Sequence, residues 1–157
     1  MTTQRLIDDL TAARQELMDL LDRVSPESMT TPGLIGEWSG RELIAHVGYW
    51  AGSAVEVIHA VEEGRADEVG DGKPPTDEVN DTVARVARET DLATVRKREA
   101  ASVEVLIERL QRLDASLLGA ALPDGGTLEH DISEDGAEHY RQHAEELRRT
   151  LSEGGHG

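Results

Sequence analysis

Residues 39–64 read SGRELIAHVGYWAGSAVEVIHAVEEG, and this stretch decides the fold. Ser39 is a good helix N-cap, and Glu42 three residues later completes a capping box. Leu43, His46 or Val47, Trp50, Ala54, Val57 or Ile58, and Val61 then recur at steps of three and four. That period puts one apolar stripe on one face of a helix running to about Glu63, and Gly64 is a plausible terminator. Such a stripe must be buried against other helices.

Upstream, Leu6, Leu10, Ala13, Leu17, Leu20 and Val24 make a first helix from about Thr3 to Val24, ended by Ser25-Pro26. Downstream, GRADEVGDGKPPT (64–76) is glycine- and proline-rich. It is long for a link between adjacent antiparallel helices, so it is expected to carry the chain across one end of a bundle. A third helical region begins near Asp77 with Val79, Val83 and Val86, with a possible interruption around Thr90-Asp91. It continues through Val95, Val103, Leu106, Leu110, Leu113 and Leu117. Leu122 to Gly126 is a turn, and a last helix is expected from near Ser133 to about Leu151, with Tyr140, His143, Leu147 and Leu151 on one face. The expectation is an all-α four-helix bundle with a long crossover between helices 2 and 3, spanning 1–152, followed by a disordered tail at 153–157.

The composition bounds the chemistry. The 157 residues include no Cys and no Phe, so the core is aliphatic, and no protein thiol can serve as nucleophile or metal ligand. The formal net charge is −16, from 32 acidic and 16 basic residues. Such a field repels phosphate backbones and anionic membranes, so neither nucleic acid nor membrane is expected as a partner. The start, MTTQRLIDDL, is polar and acidic, and a cytoplasmic protein is the expectation.

Six histidines are present, and helical phase places three of them. His139 and His143 form an H-x-x-x-H pair, so both imidazoles project from one side of the last helix. His46 sits on the apolar stripe of the second helix, three residues after Leu43 and four before Trp50. An inward imidazole is desolvated and needs partners for its ring nitrogens. It is either a satisfied core histidine or a metal ligand, and an H-x-x-x-H pair also occurs on solvated helices. Three neutral His ligands together would leave a coordination position open, as in catalytic rather than structural sites. An all-nitrogen site suits Zn, Ni, Cu, Co or Fe, with Zn or Ni favoured. His59, His130 and His156 read as surface or loop residues, with His130 the reserve ligand.

Around these residues, Trp38, Tyr49 and Trp50 flank His46, and Tyr140 stands between the pair on the last helix. Packing is the simplest role for the tryptophans. Tyr140 and Tyr49 are the candidate proton donors. Asn80 either caps the third helix or points into a pocket, and with Trp50 it is a candidate cofactor-binding residue. Glu42 reads as a capping residue rather than a base.

The segment TPGLIGEWSGRELIAHVGYW (31–50), the EVNDTV stretch (78–83) and AEHYRQHAEEL (137–147) together resemble the DinB-like superfamily, closest to its ClbS/DfsB-type and mycothiol-dependent, maleylpyruvate-isomerase-like branches. The resemblance implies a four-helix bundle, commonly a homodimer. It also implies a divalent metal held at His46, His139 and His143. Two functions follow as expectations. The first is a metal-dependent enzyme acting on a small molecule, a hydrolase or an S-transferase using a low-molecular-weight thiol such as mycothiol. The second is a metal-free bundle of the ClbS/DfsB type that sequesters a small molecule.

Overall fold

The computed structural model describes residues 2–154, and among these it contains helices, turns and no named strand. Four long helices make the bundle: α1 (Thr3–Leu21), α2 (Gly40–Glu62), α4 (Leu92–Arg112) and α6 (Ala137–Gly154). Two shorter helices, α3 (Thr76–Arg88) and α5 (Leu128–Asp135), lie within the connections. The anticipated tail begins inside α6, and residues 155–157 lie outside the described part of the chain.

The capping box at the start of α2 is formed. Ser39 accepts from the Glu42 amide, and Glu42 accepts from the Ser39 amide. The connection before it is packed rather than loose. Met29 and Leu34 are buried, and Gly40 and Arg41 donate their amides to the carbonyls of Ser28 and Met29. This fastening holds Trp38 against α2.

Helices α2 and α4 run parallel, as the successive pairings Gly48 with Glu99, Gly52 with Ser102 and Glu62 with Arg109 show. Helices α1 and α6 are also parallel, with Gly136 against Leu10 and Arg148 paired to Glu16. Parallel neighbours need long connections. The expected crossover is therefore real, and it extends from Glu63 to Asp91 with α3 inside it. The break anticipated at Thr90-Asp91 is a helix boundary. Asp91 caps α4 by accepting from the Thr94 amide and hydroxyl.

The last helix differs from the sequence expectation. The apolar pattern suggested one helix from near Ser133, whereas α5 ends at Asp135 and α6 starts afresh at Ala137. The cause is Gly136, at φ −106° and ψ −107°. A Cβ there would stand 2.7 Å from the Ile132 carbonyl oxygen, so only glycine fits the break.

Helices α2 and α4 meet tightly at Gly48, where a Cβ would lie 2.9 Å from the Glu99 Cα. Backbone cannot yield as a flexible side chain can. Gly48→Ala is therefore expected to destabilise the fold by about 1–3 kcal/mol, the usual penalty for overpacking. Gly52→Ala meets only the Ser102 hydroxyl at 3.6 Å. It should be neutral or stabilising, by up to about 1 kcal/mol, through helix propensity. Paired thermal melts check the contrast, and equal melting points would refute the close approach.

Candidate metal centre

His46 enters from the second turn of α2, and His139 and His143 from the first two turns of α6. Their Nε2 atoms converge. His46 Nε2 lies 2.9 Å from His139 Nε2, which lies 3.1 Å from His143 Nε2. All three candidate donor atoms fall within 4.8 Å of one another. His46 and His143 are buried and His139 is half-buried.

A hydrogen-bonded histidine cluster does not account for this arrangement. One ring nitrogen makes a single in-plane hydrogen bond, so the two contacts at His139 Nε2 cannot both be one. The Nδ1 atoms of all three rings are buried without a hydrogen-bond partner. Glu146 Oε1 comes within 3.3 Å of His143 Nδ1, close enough for an ion pair but outside hydrogen-bond geometry. A metal fits what is present. Two nitrogens each about 2.0–2.1 Å from one ion stand about 2.9–3.4 Å apart, the spacing seen here.

Burial keeps these three imidazoles neutral. Burial first, and repulsion from the other two imidazoles second, push the His46 pKa down to about 3. His139 falls to about 4 through burial and His143, and His143 is lowered by burial against an opposing pull from Glu146. Neutral imidazole is the form that binds metal.

Trp38 covers His46, with ring centroids 4.6 Å apart. Trp50 and Asn80, the candidate cofactor residues, are joined to each other. The indole Nε1 donates to Asn80 Oδ1 at 2.8 Å, tying α2 to α3. Tyr49 is 41% exposed and packs edge-on against Trp50. Tyr140 is buried, and its hydroxyl donates to Glu99 Oε2 at 2.6 Å, away from the imidazoles. His130 pairs with Glu134 and His59 with Glu63, so neither joins the triad. His156 lies outside the described residues.

Two features escaped the sequence reading. Glu99 is 2% exposed and binds Arg14 through both oxygens, each at 2.7 Å. Its signal was its phase: it fills an apolar slot between Val95 and Val103. The second is a cavity of about 480 Å³ bordered by Trp50, one turn after His46 on α2, and by Asp135 at the end of α5. Tyr49 and Asp131 also line it. Burial and the neighbouring carboxylates raise Asp135 to about 7, and burial with Asp124 raises Asp131 to about 6.

With this geometry established, comparison with known proteins identifies the family. The family model described as the DinB superfamily matches residues 9–147, and the chain belongs to that superfamily. No curated protein sequence matches it. Among solved structures, an uncharacterised protein from Escherichia coli UTI89 superposes with TM-score 0.78 at 15% identity, covering 96% of this chain and 93% of that one. The colibactin self-resistance protein ClbS, in complex with a dsDNA, gives TM-score 0.76 at 15% identity, covering 96% and 95%. The mycothiol-dependent maleylpyruvate isomerase gives 0.76 at 15% identity, and the match covers 94% of this chain but 61% of that one.

The ClbS complex overturns one expectation. Net charge argued against any nucleic-acid partner, yet a protein of this fold is crystallised with dsDNA. Net charge sums the whole surface and does not describe one face. Here Arg96, Lys97 and Arg98 stand consecutively on α4 despite the overall −16. For membranes, no helix among the described residues is long and apolar enough to cross one.

Asp135 yields a pH test. Its folded pKa, about 7, lies above the ordinary carboxylate value, so the folded state holds the proton more tightly than the unfolded chain. Stability is therefore lost as pH rises from about 4 to about 7, and the penalty is complete above that window. Asp135→Asn should stabilise the protein at pH 8, on the order of 1–3 kcal/mol, and leave it unchanged at pH 4. Thermal melts across pH measure this, and a gain independent of pH would contradict it.

Proposed function

We propose that the protein is a cytoplasmic metal-dependent enzyme acting on a small molecule, a thiol-dependent S-transferase or a hydrolase. His46, His139 and His143 hold a divalent ion, zinc or nickel. The observation that carries this reading is the convergence of three Nε2 atoms from neutral, desolvated imidazoles whose ring nitrogens have no other adequate partner. Three protein ligands leave coordination positions open, and a divalent ion so held acidifies a water or thiol entering them.

The remaining work falls to the chain's own residues. Trp38 shields one face of His46 from water. Glu146 Oε1, 3.3 Å from His143 Nδ1, is a nearby acceptor that favours the tautomer protonated at Nδ1 and leaves Nε2 free for the ion. The cavity between Trp50 and Asp135 is read as the substrate site, with Trp50 one turn beyond His46 on α2 and Asp135 at the end of α5 just before the helix that carries His139 and His143. Asp135, with its pKa near 7, can give or take a proton at neutral pH. Tyr49, 41% exposed, brings a phenol to the same wall, while Tyr140 acts as a positioning residue through Glu99. The transferase reading draws support from the mycothiol-dependent fold neighbour. It also fits the absence of cysteine, which leaves any sulfur to come from a small molecule.

Metal analysis of untagged protein tests the proposal. It should return one divalent ion per chain, and His46→Ala or His143→Ala should abolish binding. Zinc or nickel at a hundred times its Kd should stabilise the metal-free protein by about 2.7 kcal/mol. Protein that carries no metal and whose Tm moves with neither ion overturns the reading. With metal loaded, consumption of mycothiol against an electrophile marks a transferase, whereas turnover in water alone marks a hydrolase.

A further inference from the structure

The side of α2 turned towards α4 carries a second groove, separate from the triad. Ala45 and Gly48 from α2, Val83 and Val86 from α3, and Arg98 and Ser102 from α4 enclose a cavity of about 280 Å³. His46 and Trp50, by contrast, face α6, α5 and the other cavity.

Three observations give this groove a chemistry. Its walls are mostly small or aliphatic, with Ala45, Gly48, Val83, Val86 and Val95 among them. Among the described residues only Tyr49, Val86 and Val105 are large hydrophobics left exposed, and the first two line this groove. Exposed apolar surface gathered at one concavity is the mark of a binding site rather than of ordinary scatter. The third observation concerns charge. Arg98 stands exposed at the rim, and no hydrogen bond or ion pair among the described residues engages its guanidinium, which only assists the ionisation of Asp91 nearby. The other charged lining residue, Glu99, is already neutralised by Arg14 and hydrogen-bonded by Tyr140. The groove thus presents an apolar floor and one free cation.

We propose that this groove binds a small amphipathic anion, an aliphatic or aryl carboxylate, with its apolar body on Gly48, Val83 and Val86 and its head on Arg98. The volume is close to the lower end of small-molecule sites, about 300–1,000 Å³, which limits the occupant to a medium-length acyl chain or a single ring. A planar guanidinium matches a carboxylate in bidentate geometry, so the head group is where selectivity resides.

Amide NMR titrations of the full chain with octanoate and with 1-octanol test this, since the two share an apolar body and differ in charge. Octanoate should saturate at one per chain and shift Gly48, Val83, Val86 and Ser102. Arg98→Gln should weaken octanoate at least tenfold and leave 1-octanol unchanged. Val86→Trp, at the exposed mouth, should weaken both. The proposal is overturned by an absence of saturable binding, by shifts confined to His46, His139 and His143, or by an equal loss of both ligands in Arg98→Gln. It is likewise overturned if sedimentation shows a dimer that Val86→Asp dissociates, since the occupant would then be a second copy of the chain.

Discussion

The Glu99 carboxylate is where all four bundle helices meet. It belongs to α4, is gripped by Arg14 of α1, accepts from Tyr140 of α6, and rests on the bare backbone of Gly48 in α2. Burying a carboxylate is costly unless it is paired and hydrogen-bonded, and here both oxygens are satisfied. Removing one partner from such a pair typically costs 3–5 kcal/mol, because a charge is left stranded. The knot therefore admits few alternative registers. Its consequence for the site is geometric. Tyr140 directly follows His139, and Gly48 comes two residues after His46. Once Tyr140 and Gly48 are fixed on Glu99, the rotation of α6 and α2 about their axes is fixed too. The imidazoles on the far sides of those helices then have to converge. A triad whose two helices are locked in this way is preorganised, and its supporting shell lies across the bundle from it.

Parallel pairing explains much of what surrounds this centre. Since α2 and α4 point the same way, the chain must return the length of the bundle between them, and α3 rides on that return. It packs chiefly on α2, with only Ala84 and Ala87 buried, so part of its valine face remains at a groove instead of in a core. Arg88 compensates by reaching Glu42, the capping residue of α2. One side chain thus caps a helix and anchors the crossover. The Trp50–Asn80 hydrogen bond fastens the other end of α3 in the same manner.

What was legible in the sequence was what periodicity and capping encode. The stripes of α1, α2 and α4 and the capping box at Ser39 follow from local rules that tertiary packing reinforced. The phase of the three histidines was readable for the same reason, and resemblance to the DinB-like superfamily added the expectation of a metal. Features that depend on one side chain meeting a distant one were not readable. Gly136 looks like any glycine between two polar helical stretches until the Ile132 carbonyl appears at the place of its missing Cβ. Tyr140 has the phase of a core residue and the chemistry of a proton donor. Only the position of Glu99, 41 residues away, shows where its hydroxyl goes. Trp50 and Asn80 were each singled out, but their pairing across 30 residues was not foreseeable.

Charge shows most clearly why counting residues falls short of describing a site. Desolvation acts on both kinds of titratable group near the triad, with opposite effects on charge: it strips protons from His46 and His139 and retains them on Asp131 and Asp135. At neutral pH the imidazoles carry no charge, and Asp135 is close to half protonated. The region is therefore less polarised than its histidines and aspartates suggest, because burial penalises whichever form is ionised. A divalent cation at the triad would keep the imidazoles neutral and would oppose burial only at the carboxylates, by favouring their ionised form. The same reasoning explains why −16 was a poor guide to partners. That total weights a buried, half-protonated aspartate equally with a solvated one, and it averages the basic residues 96–98 of α4 into an acidic whole.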